Sequence, residues 1–245
     1  MSSSLPEYLT VQKDQLGHQT GVDVAVVDGM KGVAEHMADA MLQVILEAQS
    51  QGRPATLIVP VGPVDQFPLL AERINRHRVD CRHVIVINMD EYLTDDDQWI
   101  DKNHPLSFRG YMDRKFYDLI DETLAPQKEN RIFPHPDRCG EIQQVIDTHN
   151  GVDACFGGIG INGHVAFNEP PEVDESIRDD AFAALTTRAL TLSRETRTIN
   201  SVTVGGELSI IPRRAVTVGM AEILAARKLC LYCNRPWQRA VVRRV

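Results

Sequence analysis

Ala55-Thr-Leu-Ile-Val-Pro-Val61 and His83-Val-Ile-Val-Ile-Asn-Met89 are the two stretches that decide the fold. Both are nearly continuous apolar runs of strand length, and neither alternates regularly with polar residues. That pattern is typical of strands buried on both faces of a parallel sheet. An amphipathic helix is predicted over 30–49 and a shorter one over 66–75. The sequence therefore predicts an α/β protein with a mostly parallel, helix-covered sheet.

The alternation of strands and helices continues along the chain. Further strands are predicted over 22–27, 154–159, 215–218 and 229–233, and further helices over 107–120 and 221–226. A polar loop is expected directly after Met89. The sequence contains no internal repeat and no low-complexity linker. We therefore predict an N-terminal arm over residues 1–20 and a single domain over 21–245.

The composition is that of an ordinary globular protein, with 43% hydrophobic and 24% charged residues. The sequence holds no apolar run long enough to span a bilayer, and its first residues lack the pattern of a secretory signal. A cytoplasmic location is therefore expected. The net charge of −8 argues against nucleic acid as a partner, because such partners require a cationic face.

The irregular spacing of the five cysteines does not indicate a disulfide framework. Cys230 and Cys233 form a C-x-x-C motif inside a segment that is predicted to be a buried strand. Two residues three apart on a strand point to opposite faces, so no metal or redox site is expected there. We interpret these cysteines as buried structural thiols.

Polar residues follow two of the predicted strands. Gly62 comes after the first apolar run, and Asp90 and Glu91 come after the second. In open parallel sheets, ligands bind at the carboxyl ends of the strands. A carboxylate that is partly screened from water there can have a raised pKa and act as a general base. Either acid fits that role, and a helix cap or surface ion pair is the structural alternative.

The segment Gly157-Gly-Ile-Gly-Ile-Asn-Gly-His-Val-Ala-Phe-Asn-Glu-Pro170 is the most informative for function. Its glycines allow the backbone to approach a ligand and present N–H groups to an anion. His164 can exchange a proton near neutral pH, and Glu169 can orient its imidazole. The spacing also fits a dinucleotide fingerprint, but Pro170 interrupts the helix that such a site requires. No NAD, ATP or metal cofactor is expected.

Four segments together resemble the glucosamine-6-phosphate deaminase/isomerase family: 88–92 (NMDEY), 104–108 (HPLSF), 157–170 and 191–201 (TLSRETRTINS). The family pattern for the third is close to G-G-x-G-x-D-G-H-x-A-F-N-E-P, and this chain departs from it only at Asn162. The family pattern for the fourth is T-R-x-x-N-S. The resemblance extends from about Val22 to the C-terminus.

This resemblance implies a Rossmann-like fold that converts glucosamine 6-phosphate to fructose 6-phosphate and ammonia without a cofactor, as a homo-oligomer. It implies that Asp90 moves the C2 proton of the sugar toward C1. It implies that His164 opens the sugar ring, supported by Glu169 and by the residue at position 162, here Asn162. Arg197 is implied to grip the phosphate with its guanidinium fork. The other residues expected to bind substrate are Gly62, Glu91, Gly163 and Asn168.

The loop after the first apolar run departs most from the family. The family reads close to P-T-G-G-T-P, whereas this chain reads Pro60-Val-Gly-Pro-Val-Asp65. Two hydroxyl donors are replaced by valines, Pro63 lacks an N–H, and Asp65 adds a negative charge. Asp65 either repels a phosphate or caps the helix that is predicted to begin near Gln66. An acidic segment over 172–180 also interrupts a region where some members bind an allosteric amino-sugar phosphate.

The sequence therefore favours an aldose–ketose isomerase/deaminase acting on an amino-sugar phosphate such as glucosamine 6-phosphate or a close analogue. The alternative is a non-catalytic sugar-phosphate sensor of the same fold, which the altered loop and Asn162 suggest. A lactonase of the related 6-phosphogluconolactonase type is disfavoured, because the N-M-D-E-Y and N-E-P segments point to the deaminases.

Overall fold

The structure is a computed structural model that describes residues 6–18, 20–62, 65–172 and 175–244. Its strands are β1 (Thr56–Val59), β2 (Ile85–Asn88), β3 (Asp90–Leu93), β4 (Arg131–Ile132), β5 (Ala154–Gly158), β6 (Arg188–Thr191), β7 (Arg214–Thr217) and β8 (Leu229–Tyr232). Its α-helices are α1 (Gly29–Ser50), α2 (Gln66–His77), α3 (Phe108–Lys115), α4 (Glu141–Thr148), α5 (Asp179–Ala183), α6 (Arg194–Ser201), α7 (Met220–Leu224) and α8 (Arg239–Val242). Within these ranges no helix is long and apolar enough to cross a membrane.

A five-stranded parallel sheet in the order β4-β2-β1-β5-β8 forms the centre of the molecule. Side chains along each central strand point alternately to opposite faces. Leu57 and Val59 of β1 pack on one face in the cluster that includes α1 and α2. Ile58 points to the other face, where α4 and α7 contribute to the core. The predicted Rossmann-like architecture, with helices on both faces of a mostly parallel sheet, is confirmed.

A second, antiparallel sheet in the order β3-β7-β6 adjoins the first. Met89 alone separates β2 from β3, and its backbone bonds to Val59 on one side and Val218 on the other. The polar loop expected after Met89 is therefore wrong, because Asp90–Leu93 is a buried strand that pairs with β7. The predicted strand over 215–218 exists as β7, but it belongs to this antiparallel sheet.

The strand predicted over 22–27 is absent. This segment forms no ladder with any strand in the described part of the chain, and Val22, Val24 and Val26 are exposed. Its alternating valines satisfy the sequence pattern of a strand, but an isolated strand has no partner for its backbone groups. The N-terminal arm instead contacts the end of the chain, where Arg243 Nε donates to the carbonyl of Val11.

Two further elements differ from expectation. The segment over 229–233 is not a buried strand, since β8 lies at the sheet edge and Leu229 is 41% exposed. Cys230 and Cys233 are half-buried free thiols there. The helix predicted over 107–120 is shorter, because α3 ends at Lys115 and a 3₁₀ turn follows over Tyr117–Leu119.

Candidate active site

The predicted site segments meet at the carboxyl edge of the parallel sheet. β1, β2 and β5 are adjacent and parallel, so the chain segments that follow them emerge at the same edge. Gly157 packs against the side chain of Met89, the residue before Asp90. Across the antiparallel ladder, Asp90 faces Thr217, whose hydroxyl accepts a hydrogen bond of 3.1 Å from the backbone N–H of Phe167. The glycine-rich segment and the acidic strand therefore lie next to each other at this edge of the sheet.

Asp90 is the first residue of β3 and is only 8% exposed. Burial, together with the smaller effect of the nearby Glu91 carboxylate, raises the pKa of its carboxyl group to about 8. No donor in the described ranges forms a hydrogen bond that would lower this pKa. A carboxyl group with these properties is available for proton transfer near neutral pH.

Glu91 points to the opposite face of the strand and is completely buried. Its carboxylate accepts hydrogen bonds from the Ser107 hydroxyl at 2.9 Å and from the backbone N–H groups of Phe108 at 3.0 Å and Arg109 at 2.9 Å. The Arg109 guanidinium forms an ion pair with it. Glu91 thus anchors the N-terminus of α3, where the helix dipole favours a negative charge. Asp90 and Glu91 therefore differ in environment, because Glu91 accepts several hydrogen bonds and Asp90 accepts none in the described ranges. A substrate-binding role for Glu91 stays a prediction.

His164, Asn162 and Glu169 form a hydrogen-bonded cluster. The Asn162 amide nitrogen donates to Glu169 Oε2 at 2.6 Å, and the Asn162 amide oxygen lies 2.7 Å from His164 Nδ1. Glu169 Oε2 is 3.2 Å from the same Nδ1. Since an ionised carboxylate only accepts hydrogen bonds, the amide nitrogen of Asn162 must face Glu169 and its oxygen must face Nδ1. The proton of the neutral imidazole therefore sits on Nδ1, which leaves Nε2 as the basic atom.

Glu169 is anionic at neutral pH. Burial raises its pKa, but the contacts with His164 and Asn162 outweigh that effect, and the pKa is lowered to about 2. This carboxylate stabilises positive charge on His164 when the imidazole takes up a proton. The orienting role predicted for Glu169 from the sequence is consistent with this geometry.

Gly160 provides the space in which the imidazole lies. A Cβ atom at this position would overlap the His164 ring at Nε2. The backbone N–H of Gly160 also donates to the carbonyl of His164 at 2.8 Å, which closes the loop on itself. Gly163 has φ of +96°, a conformation that glycine adopts without strain. Local geometry thus accounts for both glycines.

The other predicted substrate-binding residues have contacts of their own. Asn168 is buried, donates to the carbonyls of Val165 and Val218, and accepts from Arg188. Arg197 on α6 donates to the carbonyls of Leu208 and Ile211. Gly62 is exposed at the end of β1. Their substrate-binding roles stay predictions.

Asp65 forms no side-chain cap on α2, although it occupies the N-cap position. It is exposed and adopts a left-handed conformation with φ of 81°. Pro63 and Val64 of the same loop lie outside the described residues. Of the two interpretations of Asp65, the helix cap lacks the hydrogen bond that defines it.

Thr196 and Arg109 were not among the site residues predicted from the sequence. Thr196 Oγ1 lies 3.3 Å from His164 Nδ1, and Arg109 forms an ion pair with Glu91. Thr196 directly precedes Arg197 in the T-R-x-x-N-S segment, which is the one signal that pointed to it. Arg109 directly follows the quoted segment 104–108.

No model of a known protein family matches this chain. The chain is 31% identical over 186 residues to glucosamine-6-phosphate deaminase of Cronobacter sakazakii (strain ATCC BAA-894), an alignment that covers 73% of this chain and 64% of that protein. It is 31% identical over 185 residues to glucosamine-6-phosphate deaminase of Serratia proteamaculans (strain 568), with the same coverage of 73% and 64%. The chain thus spans 64% of the length of these curated relatives.

Solved structures of two kinds share the fold. A monomeric glucosamine-6-phosphate deaminase superimposes with a TM-score of 0.71 at 22% identity, covering 86% of this chain and 81% of that one. A 6-phosphogluconolactonase from Thermotoga maritima superimposes with a TM-score of 0.57 at 12% identity, covering 82% and 79%. At these identities, the superpositions show similarity of fold alone.

Proposed function

We propose that this chain, which is 31% identical to two glucosamine-6-phosphate deaminases, is a member of the glucosamine-6-phosphate deaminase/isomerase family and converts an amino-sugar phosphate, such as glucosamine 6-phosphate or a close analogue, to a ketose phosphate and ammonia. The observation that carries this proposal is the buried Asp90 carboxyl group, with its pKa raised to about 8, at the same sheet edge as the His164–Glu169 pair. Asp90 can thereby move a proton between carbon atoms, while His164 moves a proton between oxygen atoms.

The first step opens the sugar ring. The C2 hydrogen of an amino sugar becomes acidic only when C1 is a carbonyl, so the cyclic form must open first. His164 Nε2 takes the proton from the C1 hydroxyl and returns it to the ring oxygen as the C1–O5 bond breaks. Glu169 and Asn162 hold Nδ1, which keeps the imidazole in the required tautomer.

The second step moves a proton from C2 to C1. Asp90, in its ionised form, takes the C2 proton, the electron pair shifts toward the C1 carbonyl, and a proton of the substrate's own C2 ammonium group passes to the C1 oxygen, which gives an enolamine. The same carboxyl group then delivers a proton to C1, which leaves an imine at C2. Water adds to that imine carbon and ammonia leaves, so that one amino-sugar phosphate and one water give one ketose phosphate and one ammonia.

The phosphate group lies at the end of the proposed ligand opposite to C1 and C2. Arg197 supplies a cation on α6, and Gly62 lies open at the end of β1. A homo-oligomeric state and a cytoplasmic location are further proposals that rest on the family relationship.

Turnover of candidate sugars tests the proposal. The purified protein is incubated separately with glucosamine, galactosamine and mannosamine 6-phosphates, and ammonia and ketose phosphate are measured. Release of both products in equal amounts from one of them is the expected result. Binding of a phosphosugar without either product would support the sensor instead, and neither binding nor turnover would reject both functions.

Asp65→Asn is expected to strengthen the binding of a 6-phosphosugar at least about tenfold. At about 5 Å and an effective dielectric constant near 20, two unit charges repel by roughly 3 kcal/mol, and a dianion by about twice that before salt screening. Isothermal titration calorimetry with wild-type and variant proteins measures the difference. Even after screening, a tenfold change requires only about 1.4 kcal/mol.

The control for this substitution is Asp118→Asn, which removes one exposed negative charge in the turn after α3. It is expected to leave both affinity and melting temperature unchanged. Because Asp65 forms no side-chain cap, Asp65→Asn is also expected to leave the melting temperature unchanged. Unchanged affinity together with a lower melting temperature would contradict the electrostatic argument and assign Asp65 to helix capping.

A further inference from the structure

The segment that follows β8 borders the glycine-rich segment that follows β5. The two strands form one parallel ladder whose last pair is Gly158 and Tyr232, so both end at the same level of the sheet. Beyond that level, a Cβ atom at Gly163 would lie 3.9 Å from the side chain of Val241 on α8. The C-terminal segment therefore lies beside the loop that carries His164.

Gln238 joins these two segments. It is 6% exposed, and its side chain bonds to backbone groups on both sides. Its amide oxygen accepts from the N–H of Asn234 at 2.9 Å and from the N–H of Arg235 at 2.8 Å. Its amide nitrogen donates to the carbonyl of Ile159 at 2.8 Å. Since a backbone N–H only donates and a carbonyl only accepts, these partners fix which end of the amide faces each segment.

The peptide group between Ile159 and Gly160 is therefore held at both of its polar atoms. Its carbonyl oxygen accepts from Gln238, and its N–H, on Gly160, donates to the carbonyl of His164 at 2.8 Å. Hydrogen bonds that share one peptide group polarise and strengthen each other. The imidazole of His164 lies against the same residue, because a Cβ atom at Gly160 would overlap its Nε2.

Glycine makes this peptide group easy to turn over unless another group holds it. Because glycine adopts positive and negative φ with similar ease, a peptide plane that ends on Gly160 can reverse at small cost. Reversal would turn the N–H of Gly160 away from the His164 carbonyl and bring the oxygen of Ile159 toward it. The amide of Gln238 opposes this reversal, because it binds that oxygen on the other side.

We propose that Gln238 is a positioning residue, whose amide locks the peptide group between Ile159 and Gly160 and thereby holds the His164 imidazole in its reactive position. The kinetic part of this inference rests on the proposed deaminase function. The orientation of the peptide group is a property of the resting protein, so it can be tested without a substrate.

Gln238→Glu breaks the link to the glycine-rich segment and keeps the other two hydrogen bonds. A carboxylate still accepts from the N–H groups of Asn234 and Arg235, but it cannot donate to the Ile159 carbonyl and repels it. A crystal structure of the resting variant is expected to show this peptide group turned over, with the N–H of Gly160 directed to the new carboxylate. A peptide group that keeps its wild-type orientation would overturn the inference.

In turnover assays, Gln238→Glu is expected to lower kcat at least about tenfold with little change in KM, because a displaced imidazole slows ring opening without removing a substrate contact. The matched control is Gln127→Glu, which makes the same chemical change at an exposed position before β4. It is expected to behave as wild type. Wild-type kcat in Gln238→Glu would show that the imidazole does not depend on this link and would overturn the inference.

Gln238→Met keeps the inference testable if the glutamate variant does not fold, since methionine is unbranched and uncharged. It removes the donor to Ile159, so hydrogen exchange at the Gly160 amide, followed by NMR, is expected to be at least about tenfold faster than in wild type. The amide of Cys155 in β5, bonded to the carbonyl of Lys228, is expected to keep its rate. Equal exchange at Gly160 in both proteins would contradict the proposed lock.

These experiments separate the inference from the proposed function. If wild-type protein turns over no phosphosugar, the deaminase proposal fails, and the crystal structure and the hydrogen exchange alone decide the role of Gln238. An unmoved peptide group in Gln238→Glu would overturn the inference even in an active enzyme.

Discussion

Asp90→Asn is expected to lower kcat about 10³-fold and, at neutral pH, to raise the melting temperature. The loss of rate follows because an amide cannot take the C2 proton, and a positioned general base contributes roughly 10² to 10⁴ in rate. The gain in stability follows from the cost of ionising a buried carboxyl group. A large loss of activity together with a gain in stability is therefore the pair of results expected of a buried base.

The pH dependence of that stability has a definite sign. Burial raises the Asp90 pKa from its ordinary value of 3.8 to about 8. Between these two pH values, Asp90 keeps its proton in the folded protein but has lost it in the unfolded chain. Wild-type stability therefore falls as pH rises from about 4 to about 8, and the cost at pH 7 reaches at most about 4 kcal/mol. Melting curves of wild type and Asp90→Asn are expected to converge in acid and to separate as the pH rises. Since the ionised form is the base, kcat of wild type is expected to rise over the upper part of this range.

Glu91→Gln is the control for Asp90→Asn, since it makes the same chemical change one residue away. It breaks the buried ion pair with Arg109 and weakens the N-terminus of α3, so it is expected to lower stability by about 3 kcal/mol. Opposite shifts in melting temperature for the two variants are the expected result. If Asp90→Asn were fully active, or as unstable as Glu91→Gln, the assignment of Asp90 as a buried base would be wrong.

Gly160→Ala is expected to lower kcat at least about 10²-fold without removing any functional group. The added methyl would overlap the His164 ring, so the imidazole has to move away from its present position. A displacement of about 1 Å at a reacting group is enough for such a loss. The measurement is kcat with the preferred sugar, together with a crystal structure that locates the imidazole.

Gly140→Ala is the matched control for Gly160→Ala. A Cβ at Gly140 meets nothing within 4 Å, and its φ of −67° suits any residue. This variant is expected to keep wild-type activity and stability. Wild-type kcat in Gly160→Ala would show that the observed position of His164 is not the one used in catalysis.

The centre of the fold was predictable because its signal is local. Strands buried on both faces require continuous apolar runs, and 55–61 and 83–89 are such runs. The antiparallel sheet was missed because its first strand begins with two acids, and a polar segment predicts a loop. Those acids are buried only because distant residues surround them, with Arg109 and α3 on one side and Thr217 on the other. Segment 22–27 shows the opposite error. Its alternating valines predicted a strand, but the segment pairs with no other strand in the described part of the chain, and the valines are exposed.

The sequence selected the residues of the candidate site without showing the environment of each. The residue types alone did not choose between Asp90 and Glu91 as the base, because both carry the same group, and only the family resemblance implied Asp90. The structure distinguishes them by hydrogen bonding: Glu91 receives several donors and Asp90 receives none in the described ranges. Thr196 was missed because a threonine in a helix usually bonds to its own backbone.

The most direct test of the central claim is the fate of the C2 hydrogen. Ammonia release is compared for glucosamine 6-phosphate and for the same sugar deuterated at C2, with NMR of the ketose product at C1. If Asp90 moves the C2 proton, release from the deuterated sugar is expected to be slower, a new C–H or C–D bond is expected at C1, and Asp90→Asn is expected to lose both release and transfer. Equal rates of transfer in wild type and Asp90→Asn, or a wild-type protein that binds the sugar and never breaks its C2–H bond, would contradict it.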